Sequence, residues 1–334
     1  MKKSDILQAL TIVKPGLSNK DVIEQASSFA FIDGKIITYN DEISIAHPID
    51  GLEIEGAIKA DLLYGLLSKV KSEEIELSTE GNELKIKSGR MKAGITLQQE
   101  IKLPLEEIAT KSKWKALPEN FSKYLAFAAT SCSSDMSNAK LTCVNVTEDG
   151  FLQASDNYRI TNVNLRAKMP VKTFLLPATS AILISKMNPV KISEGAGWIH
   201  FKTSEGTTIA CRVFEDSFPF VDPLLNVTGE AITFPDNLLS VLDRAGIFAK
   251  RDSLIQESIT IQITEKKLIV KATAENGSFE ESVKINHSGK PLEIIISPYL
   301  LKGILAETLE CIVGEKLLKF ETEDWIYVSA LKIL

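Results

Sequence analysis

Three stretches of the 334-residue chain carry the same signature at even intervals. The clearest is Leu141–Leu165, LTCVNVTEDGFLQASDNYRITNVNL, which predicts two strands, LTCVNVT and FLQASDNYRITNV, joined at Glu148-Asp149-Gly150. An acidic residue followed by Gly between alternating apolar runs is a strong hairpin signal, because Gly accepts the positive φ of a tight turn. The pattern returns upstream in Phe31–Ile49, around Asp33-Gly34, and downstream in Ile263–Ile285. The second strands start at Ile36, Leu152 and Leu268, 116 residues apart in both steps. Unrelated elements seldom keep such spacing. The chain therefore reads as three copies of one domain, with bounds 1–112, 113–225 and 226–334.

Each copy also holds two helical patterns. Ile6, Leu10 and Val13 recur at helical spacing in Ser4–Val13, and a stripe of Leu62, Leu63, Leu66, Leu67 and Val70 marks Lys59–Val70. Glu119–Ser131 and Leu175–Met187 are the helices of the second copy. In the third, Leu238, Leu242, Ala245 and Ala249 define one helix, and Ser297-Pro298 opens another over PYLLKGILAETL. The second helices register at Ala60, Ala178 and Pro298, so each domain is a doubled helix–strand unit. The strands alternate, which predicts antiparallel α+β sheets with one buried face. Ser131–Asn138 is small and polar and reads as a flexible loop; Pro104–Pro118, carrying Trp114, and Phe218–Leu225 read as linkers.

Chemistry is hard to find. The four cysteines are scattered without a C-x-x-C pair, so neither a disulfide framework nor a zinc site follows, and a reducing cytoplasm is expected. No apolar run approaches the ~18 residues of a membrane span, and MKKSDILQAL lacks a signal-peptide core. His47, His200 and His287 have no Cys, Asp or Glu at ligand spacing and read as structural. P-loop, G-x-S-x-G and H-E-x-x-H motifs are all missing. Asp156 beside Arg159 offers an acid–base pair for a hydrolase, but a local turn bond or salt bridge is the commoner use. Ser193–Gly197 precedes a strand and reads as a hairpin turn. The expectation is a protein that is not an enzyme and needs no cofactor or metal.

Charge is distributed unevenly for a chain of formal net charge −6. Six helical stretches (1–15, 59–71, 118–140, 178–188, 236–251 and 298–309) hold 13 Lys and Arg against 7 Asp and Glu. They total +6, leaving −12 for everything else. A shared helical face would be positive, with Lys14, Lys69, Lys71 and Lys123 from the first half of the chain. Lys186, Lys250, Arg251 and Lys302 complete it. Cations without interleaved aromatics suit sequence-blind phosphate contact, although lysines also simply solvate helix faces.

Several runs are similar to one known family. The threefold repeat, ASDNYRIT (Ala154–Thr161), KSGRMKAG (Lys87–Gly94) and LLSVLDRAGIFAKR (Leu238–Arg251) resemble the bacterial beta sliding clamp, the processivity subunit of the replicative DNA polymerase. LTCVN (Leu141–Asn145) and FPF (Phe218–Phe220) fall where that family has similar runs. The resemblance implies a head-to-tail homodimeric ring with helices inside and antiparallel sheets outside. Double-stranded DNA would thread it without sequence preference, and DNA polymerase and clamp loader would dock through a short peptide motif. A cytoplasmic site follows, in a bacterium or, for a phage-encoded chain, in its host. The alternative is a clamp-like adaptor or decoy that binds replication proteins and is never loaded on DNA.

The resemblance also implies sites. Leu141, Ser155, Asn157, Tyr158, Arg159 and Ile160 would form a partner-peptide groove, completed by Pro223 and by Val328, Ala330 and Leu331. Ile95 and Leu97 would meet Ile247 and Phe248 of a second subunit. This chain departs from the family's Thr-Asp-x-His-Arg-Leu run with Ser155-Asp156-Asn157-Tyr158-Arg159-Ile160. It has Ala330 and Lys332 where methionines and a proline are usual. The groove should therefore have its own shape.

Overall fold

The computed structural model describes residues 2–20, 22–109 and 113–332. The domain boundary expected after Ser112 lies outside the described residues. Helix α1 (Lys3–Val13) buries Ile6, Ala9, Leu10 and Val13, one face of a helix, before Pro15 ends it in a 3-10 turn. A meander of β1 (Ser28–Ile32), β2 (Lys35–Tyr39) and β3 (Ile43–Pro48) follows, then β4 (Gly56–Lys59) and α2 (Ala60–Lys69). A second meander, β5 (Glu76–Glu80), β6 (Glu83–Ser88) and β7 (Met91–Thr96), completes the first third.

The middle third repeats this order. After β8 (Lys115–Ala116) come α3 (Phe121–Ala129) and the meander β9 (Cys143–Val146), β10 (Phe151–Ser155) and β11 (Arg159–Asn164). Next are β12 (Phe174–Pro177), α4 (Ala178–Met187) and β13 (Lys191–Glu194), β14 (Trp198–Lys202) and β15 (Thr208–Arg212). The short α5 (Asp222–Leu225) leads to β16 (Glu230–Thr233), α6 (Leu238–Ala249), β17 (Ile259–Ile263), β18 (Lys267–Ala274) and β19 (Gly277–Lys284). Last are β20 (Leu292–Ile296), α7 (Pro298–Lys302), β21 (Glu310–Val313), β22 (Leu317–Glu321) and β23 (Trp325–Ala330). The middle strand of each leading meander starts at Lys35, Phe151 and Lys267, two steps of 116 residues. The second helices start at Ala60, Ala178 and Pro298, where the sequence places them.

Four local expectations change. The predicted strand FLQASDNYRITNV is two strands, because Asn157 adopts φ 73° and turns the chain between β10 and β11. Leu175–Pro177 belongs to β12, and α4 starts only after Pro177. The last helix stops at Lys302, well short of the predicted PYLLKGILAETL. Residues 136–142 form 3-10 turns that run from the stretch expected to be a loop into the expected strand start, so β9 begins at Cys143 and not at Leu141; Asp135 opens them, its Oδ1 accepting the Ser137 N–H at 2.9 Å.

The chain forms two compact units. One comprises Met1–Ala126 and Lys168–Glu215, and its large sheet runs β4-β1-β2-β3-β15-β14-β13-β8. Its decisive junction is antiparallel, β3 against β15, from Ile43 opposite Cys211 to Ala46 opposite Thr208. The other unit comprises Phe127–Ala167 and Asp216–Leu334. There β9-β10-β11-β23-β22-β21-β16 lie in order, and β11 meets β23 from Arg159 opposite Ser329 to Val163 opposite Trp325. In both units the third strand of one meander pairs with the third strand of another. Ladder hydrogen bonds thus hold together segments far apart in sequence, and the middle third contributes one meander to each unit. In the second unit α6 also covers β18 and β19 of a four-stranded sheet, burying Leu238, Val241, Leu242, Ala245 and Ala249.

Candidate peptide-binding groove

The turn between β10 and β11 builds the site. Asp156 lies at its entry, and one carboxylate oxygen, Oδ1, accepts both the Tyr158 and Arg159 N–H groups at 3.0 Å. The other, Oδ2, accepts Arg159 Nε at 2.9 Å. Arg159 Nη2 also donates to the Thr130 carbonyl and the Tyr299 hydroxyl, and the guanidinium lies 4.4 Å from the Tyr299 ring centroid. Asp156 and Arg159 thus form a local turn bond and a salt bridge. The Arg159 side chain, expected to meet a peptide, is only 6% exposed, with Nε and Nη2 committed to the protein itself. It braces the turn that leaves its neighbour Tyr158 half in solvent, at 47% exposure.

Beside this turn the second unit has a groove of about 220 Å³. Leu141, Ile160, Val221 and Val328 form buried apolar parts of the lining. Ser155, Asn157, Ala330 and Leu317 add to it, and Tyr158, Phe220 and Leu224 stand out as exposed apolar side chains on its lip. Phe220 is 78% exposed. Exposed large apolar side chains gathered at one concavity mark an interaction surface, since burial against a partner removes their cost in water. The structure brings together eight of the ten expected groove residues; Pro223 and Leu331 are not among the lining. Pro219, Phe220, Val221 and Leu224 represent the linker instead, with Leu317 from β22. The FPF run pointed at this segment, but nothing in the sequence selects Leu317.

No protein-family model matches the sequence, and no curated protein matches it. Solved structures do. A sliding clamp from Pseudomonas aeruginosa bound to griselimycin aligns with TM-score 0.86 at 16% identity, covering 100% of this chain and 98% of that one. The beta subunit of the DNA polymerase of Streptococcus pyogenes gives 0.85 at 18%, covering 100% and 99%. A DNA polymerase III beta subunit from Thermotoga maritima gives 0.78 at 18%, covering 100% and 98%. The chain has the sliding-clamp fold. Identity this low makes the likeness one of architecture, and it extends over the full length of the chain.

Within this clamp fold the expected cations are on helices or within two residues of a helix end. Lys69, Lys123 and Lys186 lie in α2, α3 and α4 and are exposed. Lys14 follows α1, with Nζ 4.3 Å from the Tyr64 ring centroid. Lys71 lies two residues beyond α2. Lys250 and Arg251 follow α6, and Arg251 is tied down by bonds to the Lys250 and Thr273 carbonyls. Lys302, in α7, is ion-paired with Asp243 at 2.8 Å. With the observed bounds, α1, α2, α3, α4, α6 and α7 carry Lys3, Lys69, Lys123, Lys186, Arg244 and Lys302 against Asp5, Asp61 and Asp243. The helical excess is therefore +3, half that read from the sequence, because seven of the cations counted and only four of the acids lie outside these helices.

The four expected interface residues differ in kind. Ile247 is 72% exposed on α6. Phe248 stacks on Phe279 of β19, with centroids 5.9 Å apart. Ile95 and Leu97 are buried within their own unit, Ile95 opposite Leu84 of β6. The histidines make local bonds: His47 Nδ1 with Thr207 Oγ1 at 2.8 Å, His200 Nε2 to the Ile108 carbonyl at 2.6 Å, and His287 Nε2 to the Lys290 carbonyl at 2.9 Å. Burial pushes the thiols of Cys132, Cys143 and Cys311 up, and that of Cys211 up to about 12.

Proposed function

We propose that the chain is a DNA sliding clamp, a processivity factor without catalysis. Three repeats, 1–112, 113–225 and 226–334, make one subunit, and two subunits close head to tail around duplex DNA. The single observation that carries the reading is the full-length likeness to solved sliding clamps at TM-scores of 0.78 to 0.86. The apolar groove supports its partner side: DNA polymerase and clamp loader would each lay a short peptide along Ile160, Val328 and Phe220. Exposed Lys69, Lys123 and Lys186 are suited to loose phosphate contact, which holds DNA without reading its bases. A pairing of Ile247 and Phe248 with the Ile95–Leu97 segment of a second copy would close the ring in the cytoplasm of a bacterium or an infected host cell.

Primer extension on circular template, with polymerase and loader, tests this directly. A clamp lengthens the products, and light scattering gives the mass of a dimer. Products of unchanged length from a protein that still binds partner peptides would turn the reading to the adaptor.

A further inference from the structure

The first unit holds a second cavity, of about 200 Å³, at the place in its sheet that corresponds to the first groove. The groove in the second unit sits by the β11–β23 junction, with linker residues 219–224 along it. The cavity in the first unit sits by the β3–β15 junction, with Leu105, Ile108, Ala109 and Trp114 of the other linker along it. Both junctions join third strands of meanders, and the two cavities are nearly equal in volume. The duplication that built the fold has left a concavity at both joints.

The linker is fastened over the sheet. Leu103 and Ile108 are buried with Tyr39, Trp198 and Ala210, and His200 donates through Nε2 to the Ile108 carbonyl. Strand register then fixes what lies on the open side. Ile37 faces Ala46, Ala46 faces Thr208, Thr208 faces Lys202 and Lys202 faces Lys191, one continuous row across five strands. Directly opposed residues in antiparallel strands share a face of the sheet. The row therefore begins as cavity lining, at Ile37, Ala46 and Thr208, and ends in two lysines on the same surface. Lys202 Nζ lies 5.9 Å from the ring centroid of Trp114, which itself lines the cavity.

We propose that this cavity is a second peptide-docking site, and that its occupant is an acidic segment with a large apolar anchor. The anchor enters between Ile37, Ala46 and Leu105, and carboxylates beside it reach Lys202 and Lys191. The class of occupant rests on reading the first groove as a peptide site; the cavity, the row and the lysines do not. The matching row beside the first groove, Ile160, Val328, Lys319 and Ile312, holds one lysine, and Glu321 already pairs with it, so the two sites select partners of different charge.

The test is a titration of the full chain with a labelled peptide of two leucines between runs of aspartate, followed by photo-crosslinking to map the contacts. Crosslinks should fall near Lys202 and survive Ile160→Asp, which removes the first groove. Ala46→Arg should abolish them, and Lys191→Glu with Lys202→Glu should weaken binding about tenfold and flatten its salt dependence. The lysine substitutions, at exposed Lys191 and half-buried Lys202, keep the test sound if Ala46→Arg fails to fold. Binding lost with Ile160→Asp and indifferent to both lysines would overturn the second site and leave the first standing. Binding lost only through the first unit's variants, for a neutral leucine peptide too, would sink the first groove and keep the second. An oligothymidylate that takes the site while the acidic peptide does not would overturn the assignment of a peptide occupant.

Discussion

Arg159 and Asp156 close an ion pair across a tight turn, Nε to Oδ2 at 2.9 Å, with side chains only 6% and 12% exposed. The pair is a brace, not a reactive centre. It fixes the backbone on which Tyr158 is presented to the groove and fastens that turn to Thr130 and Tyr299.

Removing the carboxylate should therefore cost the second unit heavily. Asp156→Ala strands a buried guanidinium and two backbone N–H groups, a loss of about 3 kcal/mol. Urea unfolding should show it as a lowered midpoint for that unit, and an unchanged midpoint would mean that the brace adds no stability.

The lip of the groove should behave differently. Phe220→Ala removes a side chain that is 78% exposed, so stability should hold while partner-peptide affinity falls by about 1–2 kcal/mol. Ile160→Asp, placing a charge in the lining, should eject the peptide outright. Calorimetric titration of both variants checks the pair.

Among the cations, Lys186, Lys250 and Arg251 should matter more than Lys302, whose charge Asp243 already answers. Replacing the first three with alanine should speed escape of the loaded ring from circular DNA and flatten its salt dependence. Lys302→Ala should change escape less. Retention of ring on DNA across a salt series measures both.

Ring closure has a clean probe in Ile247, which is 72% exposed in the single chain. Ile247→Arg should shift the mass in light scattering from dimer to monomer without lowering the melting temperature. A melting point that fell with the mass unchanged would place Ile247 in structural packing.

The first unit should weaken in mild acid. Burial holds the His47 and His200 pKa values below the ordinary 6.5, so both stay neutral in the fold while the unfolded chain takes up protons. The unfolded state binds more protons as pH falls through that value, so stability is full above about 6.5 and is lost below it. Thermal scans at successive pH values should show the decline, and His200→Gln should flatten it.

Much of this was legible in the chain because a duplicated fold repeats its turn signals. Asp33-Gly34 and Asp149-Gly150 sit at strand ends where positive φ is needed, and they carry the 116-residue step. The turn at Asn157 was passed over, although Ser155-Asp156-Asn157 is a run of turn-favouring residues and interrupts the apolar alternation; the φ of 73° at Asn157 and the Asp156 carboxylate bonds make the break plain. Five of the eight groove residues came from the motif around Arg159, and Leu141, Val328 and Ala330 from two other runs; the salt bridge to Asp156 was the commoner reading of that spacing, but the burial that turns the guanidinium away from a peptide is not encoded there. Leu317 and the row from Ile37 to Lys191 are products of strand register between distant segments. No local pattern holds them.

The pairing of β11 with β23 has a consequence for synthesis. Arg159 must wait for Ser329, so the ribosome has to add the whole stretch between β11 and β23 before that ladder can form. Until then β11 presents a bare hydrogen-bonding edge, open to any passing strand. A chain cut before β23 would leave that edge exposed for good, and nascent chains of this protein should depend on chaperones until β23 emerges.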